Sequence, residues 1–278
     1  MTPIRLVVVD LDGTLIGASG EPTPRVRRAV RDAQSAGVRF AICTGRPLAS
    51  AGPIAADLGL RGPHVTFNGA LVKDPNAASA VFRQCLPASA VDRLIDGCRA
   101  ENLCLELYTE VTHFVERDWD ESRRHAASIR VTYEIANFDA FFGRTDLIKA
   151  QIVTADDRAL QATRRLSEKM AGQLSFSVAH PIGPAAGMEC VNVVVEGVSK
   201  GTAVGELIAW YGYDRCQVAG AGDAANDLPM LEAVGLRIAM GNAEAAIKAL
   251  ADFVCPDVED DGLAVALDAI RTGTLATP

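Results

Sequence analysis

The chain has 278 residues, 49% of them hydrophobic and 22% charged, with a formal net charge of −8 and a pI of about 5.1. That length is long for one compact core and suits two domains, while the acidic balance, with no Lys/Arg cluster to override it, argues against nucleic acid as a partner. Seven scattered cysteines, never spaced as Cys-x-x-Cys, speak against a zinc ribbon or a disulfide framework and fit a reducing compartment. The apolar runs are of strand length, far below the roughly 20 residues of a membrane span. The N-terminus lacks the pattern of a signal peptide, so a cytoplasmic location without a membrane partner is expected.

In chain order, Leu6-Val7-Val8-Val9 is a continuous β-branched run that predicts a buried strand of a parallel sheet, and it stops on Asp10-Leu11-Asp12-Gly13-Thr14. Thr23-Pro24 is an N-cap and first-turn pair, and Val26, Ala29, Val30 and Ala33 have helical spacing ahead of Gly37. A second strand is expected over Val38 to Thr44, completing a βαβ unit that ends on Thr44-Gly45-Arg46. A helix from Pro47 to Leu58 and a hairpin over His64 to Val72, turning at Asn68-Gly69, come next.

From Arg83 to Glu189 the texture changes to α+β. Helices are expected near Ser89 to Glu101 and Asp156 to Ala171, and strands over Leu103 to Tyr108, His113 to Glu116, Leu147 to Thr154 and Leu174 to Ala179. No chemical motif stands out there, and His113, His125 and His180 read as packed or surface residues. Residues 83–189 are therefore expected to form an inserted domain, with 1–82 and 190–278 as a Rossmann-like parallel-sheet core; the fold class is α/β. After the apolar run Val191 to Val195, Ser199-Lys200-Gly201 opens a helix, and a strand over Cys216 to Gly220 runs into Gly222-Asp223-Ala224-Ala225-Asn226-Asp227. The remaining elements are a helix Leu228 to Ala233, a strand Leu236 to Met240, and helices Glu244 to Ala251 and Gly262 to Ile270.

Three strands thus end in acid or hydroxyl groups, namely Asp10/Asp12, Thr44 and Asp223/Asp227, and Lys200 enters from a fourth element. Ligands bind beyond the carboxyl ends of strands in open α/β sheets. Carboxylate oxygens suit Mg²⁺ rather than a soft metal, and a cation, a Lys and a Thr beside a nucleophilic carboxylate suit phosphoryl transfer.

The segments Asp-Leu-Asp-Gly-Thr, Thr-Gly-Arg, Ser-Lys-Gly and Gly-Asp-Ala-Ala-Asn-Asp resemble, in order, the four motifs of the haloacid dehalogenase-like phosphohydrolases. Phe67-Asn68-Gly69-Ala70, Met240-Gly241-Asn242-Ala243 and Asp260-Asp261-Gly262-Leu263-Ala264 resemble the Cof-type branch, whose large type IIB cap lies between the second and third motifs. The resemblance implies that Asp10 is the nucleophile that becomes an aspartyl-phosphate and that Asp12 is the acid and base. It implies that Thr44, Gly45, Lys200 and Asn226 bind the phosphoryl group; Arg46 and Asn68 are left open, as substrate contacts or as a surface Arg at a strand-ending turn and a simple turn former. Mg²⁺ is implied at Asp10, the Asp12 main-chain carbonyl and Asp223, with Asp227 supporting from close by. Two features depart from the branch: Ala224-Ala225 replaces polar or Gly residues, and Asn192 stands about where many relatives have Glu. The expected activity is Mg²⁺-dependent hydrolysis of a small phosphorylated metabolite, a sugar phosphate or a cofactor- or nucleotide-like phosphate. A phosphotransferase or mutase, or a catalytically silent phospholigand-binding module, remains as an alternative, and the oligomeric state is open.

Overall fold

The computed structural model describes residues 2–181 and 183–277. The first hydrophobic run is β1 (Leu6–Val9), with every residue at 1% exposure or less. It is followed by α1 (Pro24–Ser35), β2 (Arg39–Ile42), α2 (Leu48–Asp57) and an antiparallel group, β3 (His64–Thr66), β4 (Leu71–Lys73) and β5 (Phe82–Arg83). Helix α1 begins as expected: the Thr23 hydroxyl accepts from the Val26 amide and Pro24 needs no amide partner, and the helix buries Val26, Ala29, Val30 and Ala33.

The chain then leaves for the inserted domain. Its elements are α3 (Ala88–Glu101), β6 (Cys104–Tyr108), β7 (His113–Val115), α4 (Asp120–Ile129), β8 (Glu134–Ile135), β9 (Lys149–Thr154), α5 (Asp157–Lys169), β10 (Leu174–Ala179) and β11 (Glu189–Val195). The six strands form one sheet in the order β10-β11-β9-β6-β7-β8, antiparallel except between β7 and β8. Helix α4, which the sequence does not predict, buries Ser122, His125, Ala126 and Ile129.

The chain returns through α6 (Lys200–Tyr211), β12 (Val218–Gly222), α7 (Leu228–Ala233), β13 (Leu236–Ala239), α8 (Ala245–Leu250), β14 (Phe253–Val254) and α9 (Gly262–Arg271). The core sheet is wholly parallel, in the order β14-β13-β12-β1-β2. Because β1 lies between β12 and β2, the residues just beyond these three strands meet at one edge.

One expected boundary moves. The run Val191 to Val195 belongs to β11, paired with β9 and β10 in the inserted sheet, so the core resumes after residue 195 and not at 190. A β-branched run reads the same in either sheet, and only pairing decides which sheet it joins. Val191 and Val193 pack into the inserted domain's own core with Leu105, Leu107 and Ile152, whereas Val194 joins Phe67, Leu71, Tyr108 and Ile148 at the junction of the domains.

Candidate active site

The inserted sheet has two chemically different faces. Alternation along β6, β9 and β11 sends Leu105, Leu107, Ala150, Ile152, Val191 and Val193 to the apolar side, under α3 and α5. The intervening Glu106, Tyr108, Lys149, Gln151, Cys190 and Asn192 take the other side. All but Glu106 of these six line a cavity of about 290 Å³ between the domains. The opposite wall is the edge of the core sheet, with Asp10, Asp12, Thr44, Gly45, Arg46, Asp223, Asn226 and Asn242. The inserted domain is thus a cap over the strand ends.

Asp10 comes directly after β1, and its amide donates to the Ala221 carbonyl of β12. Its Oδ1 accepts from Lys200 Nζ at 2.6 Å, and the same ammonium donates to Asp227 Oδ1 at 2.6 Å. Lys200 is 1% exposed and is the first residue of α6, where the helix dipole disfavours a cation. Burial also opposes its charge, but Asp10 and Asp227 outweigh both effects and hold it protonated, above the usual amine range. Asp227 is fully buried; its Oδ2 accepts from the Asp223 and Ala224 amides at 3.0 and 3.1 Å, which fixes the turn carrying Asp223. Asp223 Oδ1 accepts from Thr14 Oγ1 at 2.7 Å. Gly13, at φ +84°, leaves room for this approach, since a Cβ there would collide with the Asp223 carboxylate.

The carboxylates of Asp10, Asp223 and Asp227 bring one oxygen each within 4.8 Å of one another. Burial and then the charge of Asp227 push Asp10 well above the usual carboxylate range, and the same two causes raise Asp223 to about 7. Crowded, partly dehydrated carboxylates of this kind are relieved by a hard cation with oxygen preference, so the donor set fits a divalent metal. Asp12 is placed differently from its neighbours. Its carboxylate is held by Arg46, with Nε to Oδ2 at 2.7 Å and Nη2 to Oδ1 at 2.5 Å, so any contact of Asp12 with a cation falls to its main chain.

The other sequence candidates also converge. The Thr44 hydroxyl accepts from the Arg46 amide at 3.2 Å. Asn68, with φ 57° and 6% exposure, donates to Ser177 Oγ of the cap at 3.0 Å and accepts from Asn226 Nδ2 at 3.4 Å. Asn68 thus joins cap to core beside the cavity and is absent from its lining. Lys200 and Asp227 lie beneath the floor, and Arg46 is buried against Asp12 and Ser50 in the cavity wall.

The cap's polar face is the part of the site that sequence reasoning misses. Glu106 is fully buried and accepts from Tyr108 Oη at 2.6 Å, while His125 Nδ1 lies 2.8 Å from the same oxygen. Burial disfavours its charge, but His125 and His113 outweigh that and hold Glu106 well below the usual carboxylate range. For His125 burial likewise opposes protonation, and Glu106 and Cys190 raise it to about 10. Lys149 Nζ donates to the Gly45 carbonyl at 2.9 Å and to Gln151 Oε1 at 2.6 Å. The sequence does carry a signal: single polar residues inside apolar runs, as in Leu-Glu-Leu, Lys-Ala-Gln-Ile and Val-Asn-Val, mark a buried polar face.

Comparison with known proteins agrees with this architecture. A family profile described as haloacid dehalogenase-like hydrolase matches residues 7–267. Among curated relatives, a 5-amino-6-(5-phospho-D-ribitylamino)uracil phosphatase of Bacillus subtilis is 25% identical over 98% of this chain and 100% of its own length. A pyridoxal phosphate phosphatase of Escherichia coli is 26% identical over 94% and 96% respectively. Among solved structures, a haloacid dehalogenase-like hydrolase from Bacteroides thetaiotaomicron superposes with a TM-score of 0.83 at 25% identity, covering 96% of this chain and 99% of that one. A HAD subclass IIB sugar phosphatase shares the fold with a TM-score of 0.81 at 19% identity, covering 95% and 98%. With nearly the whole chain matched, and with a parallel core whose strand ends lie under an inserted α+β cap, the chain belongs to the haloacid dehalogenase-like hydrolases, as a phosphatase of the Cof-type branch with a subclass IIB cap.

Proposed function

We propose that the chain hydrolyses the phosphoric monoester of a small metabolite through an aspartyl-phosphate on Asp10. The observation that carries this reading is the Lys200 ammonium held 2.6 Å from both Asp10 and Asp227, just beneath the floor of the cavity. It allows a carboxylate and an anionic phosphoryl group to approach each other. A carboxylate oxygen of Asp10 attacks phosphorus, the bond to the ester oxygen breaks, and the leaving alkoxide takes a proton from Asp12, which carries one only once its carboxylate is released from Arg46. Asp12 then takes a proton from water, the water oxygen attacks phosphorus, and the bond to Asp10 breaks to release phosphate. Thr44, Gly45 and Asn226 hold the phosphoryl oxygens, and Arg46 orients Asp12. Mg²⁺ bound by Asp10, Asp223 and the main chain of Asp12 would add positive charge against those oxygens.

The small cavity favours a compact ester over a macromolecular one, and the names of the relatives, a phosphoribitylaminouracil phosphatase and a pyridoxal phosphate phosphatase, are of this kind. The test is phosphate release from a panel of phosphometabolites with and without Mg²⁺. Asp10→Asn is expected to lower turnover by at least about 10³-fold, as loss of a nucleophile does. Turnover that survives this substitution would sink the assignment.

A further inference from the structure

Two Lys or Arg side chains line the cavity among the described residues, Arg46 and Lys149. Arg46 is neutralised by Asp12. Lys149 is not neutralised: it is 3% exposed, and its hydrogen-bond acceptors, the Gly45 carbonyl and the Gln151 amide, carry no charge. The nearby Glu106 is committed to Tyr108, His113 and His125. Asn192, diagonal to Lys149 across β11 and β9, contributes an amide where an acid would have supplied the counter-charge.

A buried ammonium without a counter-ion is unfavourable, and burial draws Lys149 down to about 8. An ammonium has three protons to donate, and two are engaged. The Gln151 acceptor is itself contested. Gln151 Nε2 lies 2.9 Å from His125 Nε2, and a protonated His125, which can only donate, competes with Lys149 for the one amide oxygen. Lys149 stands on the cap, facing a floor that already supplies Thr44, Gly45 and Asn226 for the reacting phosphoryl group, with Lys200 beneath it.

We propose that Lys149 is a specificity-determining residue that binds a second anionic group, carried on the leaving-group side of the substrate. The substrate is then a compact phosphate monoester bearing a further carboxylate or phosphate. The inference rests on the phosphatase reading for its placement of the reacting phosphoryl group, but its test reads binding and not turnover.

The experiment is calorimetric titration of the Asp10→Asn protein with two ligand pairs. One is 3-phosphoglycerate against glycerol 3-phosphate, which differ by a carboxylate; the other is fructose 1,6-bisphosphate against fructose 6-phosphate, which differ by a phosphate. The doubly anionic member of at least one pair is expected to bind about 10-fold tighter or better, the scale of a charge-assisted hydrogen bond. The pair that shows the preference identifies the anion. Adding Lys149→Met should bring the ratio within about threefold, and Asn192→Asp, which supplies an internal counter-charge without removing the amine, should do the same. Equal binding within both pairs, binding of no ligand, or a preference that survives both substitutions overturns the proposal. Phosphate release by the wild type reports on the phosphatase reading separately.

Discussion

Lys200 occupies a position that a helix by itself would not favour for a cation, and the reason is visible only when Asp10, just after β1, and Asp227, in the turn between β12 and α7, are brought to it. His64 is a second residue whose state is set by its surroundings. Its Nδ1 accepts from the Ile42 amide at 3.3 Å, joining β3 to β2, and this bond requires the neutral ring. Burial accordingly lowers it from 6.5 to about 4. Below pH 6.5 the unfolded chain takes up a proton that the folded chain refuses, so stability falls as pH drops towards 4 and does not fall further through this group. The loss is about 3 kcal/mol at most. His64→Asn, whose side-chain oxygen can stand in for Nδ1, is expected to lack this fall when urea unfolding is followed from pH 7 to 4; parallel curves for the two proteins would refute it. At the same scale Asp223, raised to about 7 in the absence of a cation, predicts that saturating Mg²⁺ raises the thermal midpoint of the wild type. Asp223→Asn should abolish that rise, and scanning calorimetry checks it.

At the scale of elements, α6 packs against α7 so closely that a Cβ on Gly201 would collide with the Pro229 carbonyl. Helix propensity alone makes Gly→Ala favourable by about 1 kcal/mol, whereas overpacking against a backbone costs about 1–3 kcal/mol. Packing therefore decides the sign. Gly201→Ala is expected to lower stability in chemical denaturation, and a gain would mean the helices can part. The core elements were legible because each carries a local signature, such as the Thr23-Pro24 cap, the Asn68-Gly69 turn and the unbroken run of β1. That their acids and hydroxyls come together was legible because parallel strands deliver the residues at their carboxyl ends to one edge. Helix α4 was not legible: Asp-Glu-Ser-Arg-Arg-His-Ala-Ala-Ser-Ile has one large apolar residue, and the face it buries against the cap sheet, Ser122, His125, Ala126 and Ile129, is half polar. Nor was the sheet membership of β11, since Val-Asn-Val-Val-Val specifies a strand but not its neighbours.

The whole molecule has separate apolar interiors, one around the parallel sheet and one on the outer face of the cap. Leu107, fully buried in the latter, offers a way to loosen one without the other. Leu107→Ala is expected to cost about 2–5 kcal/mol and to speed amide exchange in the cap strands while β1 and β12 keep their protection; equal loss in both would show a single cooperative unit. Polar contacts close the cap onto the core at several points, through Lys149 to Gly45, Asn68 to Ser177 and Arg130 to Glu21. The covalent route is as short. Strand β11 holds Asn192 at the ceiling and ends at Val195, and Lys200 begins the next helix, with only Glu196 to Ser199 between them. The ceiling and the floor's central cation are therefore two ends of one lever, the capped N-terminus of α6 being its stiff arm. A displacement of the ceiling is thus expected to reach the Lys200 ammonium and, through it, the Asp10 carboxylate.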